Sequence, residues 1–306
     1  MIRMEYHNPV LLHESIDGLA IKPGGIYVDV TFGGGGHSKE ILKRLGSEGR
    51  LFGFDQDVDA QANSLGDPRF VLIPENFRYI KRFLRFYGVK KVDGVLADLG
   101  VSSHQFDEAE RGFSTRFDAD LDMRMNQNDS LSALRIVNKY PEEKLSNVLF
   151  NYGELRNAKA LAKQIVSFRE GKKIKTSFEL KECLQQFLPK AKEHKILAQI
   201  FQAIRIEVNQ EIEVLKEFLI QIPDLLNDNG RLSVISYHSL EDRLVKRFVR
   251  NGLFEGEPEK DFYGNFRVPL KKVGKMIIPG QKEIKQNNRA RSAKLRIAVK
   301  ASQNKS

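Results

Sequence analysis

The chain has 306 residues, 41% of them apolar, a net charge of +10 at pH 7 and a single cysteine, Cys183. Its length allows one large or two modest domains, and the lone cysteine excludes a disulfide framework and a cysteine-based zinc site. No stretch approaches the roughly 20 consecutive apolar residues that a bilayer span needs, and the N-terminal run Met1-Ile-Arg-Met-Glu-Tyr-His7 lacks the apolar core of a signal peptide, so a cytoplasmic protein is expected.

Ile26, Val28 and Val30 alternate with Tyr27, Asp29 and Thr31, which predicts a strand over 26–31. Four glycines follow at 33–36, and then Ile41, Leu42 and Leu45 fall at helical spacing. Further strands are predicted over 50–55, ending on Asp55, over Phe70–Ile73, and over 92–97, running into Asp98. Strands alternating with helices imply an α/β fold with a parallel, doubly wound sheet, whose ligands sit at the C-terminal strand ends. The glycines, Asp55 and Asp98 all fall at such ends.

Glycine lacks a Cβ, so the backbone at 33–36 can turn tightly and approach a ligand closely. The run is not a phosphate-binding loop, because it ends Gly36-His37-Ser38 where Gly-Lys-Ser/Thr is required. The dinucleotide spacing fits poorly too, since a serine stands at 38. S-adenosylmethionine has no pyrophosphate to cradle, and its methionine portion can lie on bare backbone. Asp55, about 20 residues on, is placed for two ribose hydroxyls. Asp98 ends an apolar run where burying a charge is costly unless it is paired. It is placed for the cofactor's methionine end or the substrate amine, with a helix cap at Asp98 or Ser102 as the plainer alternative.

From about residue 131 to 226 the pattern is helical. Leu155, Ala158, Leu161, Ala162, Ile165 and Val166 make one apolar stripe, and Ile196, Ile200, Phe201, Ile204, Val208, Ile212 and Leu215 another. These read as packing faces. A strand returns over 230–236 after a turn at 227–230, and another spans 294–299, so the helical segment is inserted into the α/β domain. The boundaries expected are 1–110 with 216–306 for the α/β domain and 111–215 for the insertion. Residues 301–306 are expected to be disordered. Ser239 and Asp242 have capping-box spacing, and Arg243, Lys246, Arg247 and Arg250 then line one helix face, which suits a nucleic-acid backbone. His238 stands at the strand–helix junction as a candidate for proton traffic. Neither it nor His37 has a carboxylate spacing that reads as a metal site, so no tightly bound metal is expected. Between Lys271 and Arg296 nine basic residues, Arg289 and Arg291 among them, are opposed only by Glu283. That run reads as a phosphate-contacting surface, the alternative being a solvated tail.

Taken together these motifs resemble the bacterial small-subunit rRNA cytosine-N4 methyltransferases of the MraW/RsmH type. The resemblance runs nearly end to end. It rests on His7-Asn-Pro-Val-Leu-Leu12, Thr31-Phe-Gly-Gly-Gly-Gly-His-Ser38, Asp98-Leu-Gly-Val-Ser-Ser103, Glu110-Arg-Gly-Phe-Ser114 and Leu121-Asp-Met-Arg-Met125. Further along come Phe201-Gln-Ala-Ile-Arg-Ile206, His238-Ser-Leu-Glu-Asp-Arg243 and Asn288-Arg-Ala-Arg-Ser292. The resemblance implies a class I S-adenosylmethionine-dependent methyltransferase, a Rossmann-like doubly wound sheet with an inserted all-helical substrate-recognition domain. It implies methyl transfer to N4 of a cytidine in the decoding region of 16S rRNA, with the 30S subunit as the expected setting. Monomer and homodimer both stay open. Its cofactor positions fall on Gly35, Gly36, His37, Asp55, Phe77, Asp98 and Gln105, to which the glycine run adds Gly33. Asp98 becomes the candidate acceptor for the N4 protons, and His238 a second catalytic candidate. Arg111, Phe113, Asp122 and Arg124 are implied at the substrate side, with Phe113 and Tyr237 as stacking platforms and Arg243, Arg289 and Arg291 as backbone contacts. Two departures stand out: His104 where the family usually has proline, and Ala119-Asp120 where it often has Gly-Pro. Other classes make poorer fits. A non-catalytic RNA-binding factor predicts a damaged glycine loop, and an oxidoreductase predicts other glycine spacing. An amino-methylating DNA enzyme predicts a Pro-Pro-Tyr motif where Asp98-Leu-Gly-Val101 stands.

Overall fold

The structure, a computed structural model, describes residues 9–259, 262–263 and 268–301. His7 and Asn8 of the N-terminal motif and residues 302–306 of the expected disordered end lie outside the described residues. The chain divides into two compact units, residues 1–100 with 212–306 and residues 101–211.

The first unit opens with α1 (Leu12–Gly18), β1 (Ile26–Asp29), α2 (Gly36–Arg44), β2 (Arg50–Phe54), α3 (Val58–Gln61), β3 (Phe70–Ile73), α4 (Ile80–Phe86) and β4 (Val92–Asp98). The second holds α5 (Ser103–Asp107), α6 (Ala133–Lys139), α7 (Glu142–Asn151), α8 (Ala158–Gly171), α9 (Ser177–Cys183) and α10 (Glu193–Asn209). Helix α11 (Glu211–Leu225) returns the chain to the first unit, which closes with β5 (Leu226–Ser236), α12 (Ser239–Asn251), β6 (Leu270–Ile277), α13 (Gln281–Gln286) and β7 (Lys294–Lys300).

Seven strands form one sheet in the order β3-β2-β1-β4-β5-β7-β6. Strands β1 to β5 pair in parallel, and β7 pairs antiparallel with both β5 and β6. Strand order reverses between β1 and β4, the switch point at which ligands bind in such sheets. Helices cover both faces. Phe52 and Phe54 bury with Leu84 of α4, Phe218 of α11 and Phe248 of α12. Leu51 instead buries with Ile16 of α1 and Ile41 of α2. Alternate residues of β2 thus enter opposite layers, which is why the strand reads as an unbroken apolar run.

The second unit has its own core, where Leu149 of α7, Leu161 and Ile165 of α8 and Ile200 and Ile204 of α10 meet. Helix α5 starts at a capping box: Ser102 accepts the Gln105 N–H, and Gln105 Oε1 accepts the Ser102 N–H at 3.0 Å. His104 is the second residue of that helix. First-turn amides have no intrahelical partner, so proline and histidine are both accommodated there. Ala119 and Asp120 lie on a short ladder to Thr176 and Ser177 whose bonds use the Leu121 and Ser177 amides, so a proline at 120 would forfeit neither.

Three expectations need correction. The turn expected at 227–230 lies inside β5: Asn229 takes φ 62°, and the register against β4 shifts between Val92 and Gly94, so the extra residues are absorbed as a bulge. Part of the basic run is strand β6, an edge strand whose Lys271, Lys272 and Lys275 are exposed. Charge on an edge strand discourages edge-to-edge pairing. Helix α12 is capped one residue earlier than expected, by His238 with Glu241.

Candidate active site

The site is built where β1, β2, β4 and β5 end. After β1 the chain turns through the glycines, and the turn is pinned at Gly33 through both of its backbone groups. Gly33 N–H donates to Asp55 Oδ2 at 2.7 Å, and its carbonyl accepts Asn63 Nδ2 at 3.1 Å. Gly35 takes φ 73° and precedes α2; a Cβ there would come within 2.9 Å of the Phe32 ring. Both facts demand glycine.

Asp55 also accepts the Asp57 N–H, through Oδ1 at 2.9 Å. Each oxygen therefore carries one backbone bond, and an ionised carboxylate offers about four acceptor sites in all. Capacity for two ligand hydroxyls remains. Phe77, in the turn after β3, meets Phe218 edge-on at 5.3 Å, and the preceding Asn76 donates to Gln56 at 2.7 Å. An apolar ring is thereby fixed beside the acidic end of β2.

Asp98 is the best-held group. Its N–H donates to Thr31 Oγ1 at 2.7 Å, and its Oδ1 accepts the Tyr237 hydroxyl at 2.7 Å. Its Oδ2 lies 3.9 Å from His37 Nδ1. Burial pushes its carboxyl up to about 7, the Tyr237 bond opposes this, and the charges of Asp29 and Glu241 add to it. His37 is nearly buried and its Nε2 faces the Val10 carbonyl at 3.2 Å. A carbonyl only accepts, so the proton belongs on Nε2 and the Nδ1 facing Asp98 is bare. Burial brings the imidazole down to about 4 and keeps it neutral.

Asp29 is a site residue that the sequence reading does not single out. It is fully buried, accepting Ser38 Oγ at 2.7 Å and the Thr31 N–H at 3.2 Å. Burial pushes it, like Asp55, up to about 6. Its signal is an acid closing an apolar strand directly before the glycines. Three adjacent strand ends thus carry an acid, and among the described residues none of the three pairs with a lysine or arginine. Such a group of acids is short of positive charge. S-adenosylmethionine brings an ammonium and a sulfonium, so the donor set fits it.

His238 does not play the part expected of it. The Tyr237 hydroxyl is spent on Asp98. Glu241 Oε2 accepts the backbone N–H groups of Tyr237 and His238 at 2.9 and 3.3 Å. His238 Nδ1 accepts the Glu241 N–H at 3.4 Å, Nε2 lies 3.1 Å from Glu241 Oε1, and the side chain is 7% exposed. His238 is therefore a capping residue, and its partner is a carboxylate three positions on that the sequence reading does not pick out.

In the second unit Phe113 is 5% exposed and belongs to the helical core, which removes it as a platform for a base. Arg111 is 8% exposed and its guanidinium donates to the carbonyls of Arg124 and Met125 at 3.0 and 3.2 Å. It shapes this loop from within. Arg124 forks onto Asp122 at 2.7 and 2.8 Å and also donates to the carbonyls of Gln127 and Asp129. Gln105 is buried in the α5 capping box. Arg243 and Arg291 are exposed and Arg289 is half-buried.

Residues 4–301 match the model of the MraW methylase family. The chain is 70% identical to "Ribosomal RNA small subunit methyltransferase H" of Flavobacterium johnsoniae, covering 97% of this chain and 98% of that protein. It is likewise 70% identical to the protein of that name from Christiangramia forsetii, over 98% and 99% of the two chains. The namesake from Cytophaga hutchinsonii is 59% identical over 96% and 99%.

Proposed function

The chain belongs to the MraW methylase family, and on that footing we propose that it transfers a methyl group from S-adenosylmethionine to N4 of a cytidine in the decoding region of small-subunit (16S) rRNA. The observation that carries this reading is the set of cation-free carboxyls around a glycine turn at the switch point of the sheet. The near-complete match to relatives named as rRNA small-subunit methyltransferases supports the substrate.

When bound, S-adenosylmethionine supplies an electrophilic methyl on a positively charged sulfur. Asp55 holds the ribose hydroxyls with its remaining lone pairs, Phe77 packs the adenine, and Gly33, Gly35 and Gly36 let the methionine portion lie on backbone. Gln105, whose Oε1 is held by the α5 cap, is assigned to the cofactor by the family motif. Asp98 serves the cytidine amine. That amine is a poor nucleophile because its lone pair conjugates with the ring. Asp98 Oδ2, the oxygen not taken by Tyr237, accepts an N4 hydrogen, favouring the pyramidal form and the charge that develops on it. A carboxyl raised toward neutrality is also matched to accepting the proton that leaves. His37 ties Val10 to the start of α2 through its Nε2.

The helical unit recognises the substrate, with Asp122 and Arg124 shaping its entrance and Arg111 supporting them from inside. Arg243, Arg289 and Arg291 contact the RNA backbone. Methylation at a base edge requires the cytidine to be unpaired or extruded. The test is nucleoside analysis of 16S rRNA from cells lacking this protein. N4-methylated cytidine should vanish from the decoding region and return when the chain is re-expressed; its persistence would refute the assignment.

A further inference from the structure

Glu283 is the sole acid among nine basic residues between Lys271 and Arg296, and nothing in the catalytic scheme uses it. Among the described residues it makes no ion pair with a lysine or arginine. Its Oε1 accepts the Leu11 N–H at 2.7 Å, 272 positions away in sequence.

Leu11 is an unusual residue to hold. It takes φ 50° and ψ 40°, a left-handed conformation that non-glycine residues avoid. Such backbone persists only where its surroundings hold it. Here the Glu283 bond does so, together with burial of Val10 and Leu11 among Ile235, Ala290, Ala293 and Leu295.

The same short segment touches the glycine turn. The Val10 carbonyl accepts His37 Nε2 at 3.2 Å. Pro9 lies so close to Gly36 that a Cβ there would come within 2.2 Å of its Cγ. Residues 9–11 are therefore a strap, fastened to the glycine turn through Pro9 and Val10 and to α13 through Leu11.

We infer that Glu283 is a positioning residue for the cofactor site, holding the strap 9–11 against Gly36 and His37 by accepting the Leu11 N–H. The inference rests on the reading of the glycine turn as the S-adenosylmethionine site. What matters is reach and an acceptor oxygen, not charge. Glu283→Gln keeps both, whereas Glu283→Asp keeps the charge but falls one methylene short.

Calorimetric titration of S-adenosylmethionine into the full chain separates these possibilities. Glu283→Ala and Glu283→Asp should each weaken binding on the order of tenfold, and Glu283→Gln should bind within about twofold of the parent. Binding of labelled rRNA, measured in parallel, should hardly change. A parent-like Glu283→Ala, or a pattern in which Asp restores binding and Gln does not, would overturn the inference alone. Should Glu283→Ala fail to fold, the Gln and Asp pair decides. A parent chain that binds no S-adenosylmethionine would overturn the cofactor reading and this inference together.

Discussion

Asp98 is held by two neighbours and faced by a third. The Tyr237 hydroxyl fixes one oxygen, His37 presents a bare nitrogen to the other, and Thr31 fixes the backbone. Replacing it by asparagine preserves the shape and removes the charge. Asp98→Asn should lower kcat on the order of 100-fold, the usual cost of removing one electrostatic partner at the reacting group. The KM for S-adenosylmethionine should change far less; a single-turnover rate near that of the parent would refute the catalytic assignment. The raised carboxyls also tie cofactor binding to protons. Asp29 and Asp55 stand at about 6 and Asp98 at about 7, above their unfolded values. For raised groups the contribution to stability is fully present below the unfolded pKa and is lost as pH rises through the folded one. The unliganded protein should therefore lose stability between about pH 4 and 7 from these groups. A cationic ligand favours the ionised forms and expels their protons. Calorimetry at about pH 6.5 in buffers of different ionisation enthalpy should show proton release on binding S-adenosylmethionine, and heats independent of buffer would contradict this. Most of these residues are legible in the sequence, because an acid ending an apolar strand is costly without a purpose. Asp29 is harder to read, because strand alternation already accounts for it. Phe113 and His238 mislead because sequence does not reveal burial or a cap.

At the scale of elements, the parallel strands are the easiest to read, since burial on both faces makes each one an apolar run. Strand β6 is not, because its inward residues Leu270, Val273 and Ile277 do not alternate and lysines stand between them; only its antiparallel pairing with β7 reveals it. That strand carries a prediction of its own. Lys271, Lys272 and Lys275 stand exposed on it. If the rRNA backbone crosses this edge, replacing all three by alanine should weaken rRNA binding and flatten its log–log salt dependence by about 0.7 for each phosphate no longer neutralised. The kcat at saturating rRNA should hold. An unchanged salt slope would place the backbone elsewhere. The cap of α12 has a similar lesson: Ser239 and Asp242 have the right spacing, but Glu241 is the residue whose carboxylate reaches back to the junction.

At the scale of the whole molecule, the alternation of strands and helices followed by a long helical stretch is enough to indicate an insertion. The division falls at 100/101 and 211/212, against 110/111 and 215/216 from sequence. The early boundary is hidden because residues 101–110 show little apolar periodicity; their order comes from the Ser102–Gln105 cap. The late one is hidden because Val208, Ile212 and Leu215 keep helical spacing across the Asn209-Gln210 junction, where Gln210 takes the left-handed conformation that ends α10. Net charge points to a polyanion without saying which one, and no helix among the described residues is long and apolar enough to cross a membrane. The most direct test is transfer of labelled methyl from S-adenosylmethionine to 30S subunits lacking the mark, followed by nucleoside analysis. Label is expected in N4-methylated cytidine with the parent chain, and its near-loss with Asp98→Asn. Label in any other nucleoside, or equal label with both chains, would contradict the assignment.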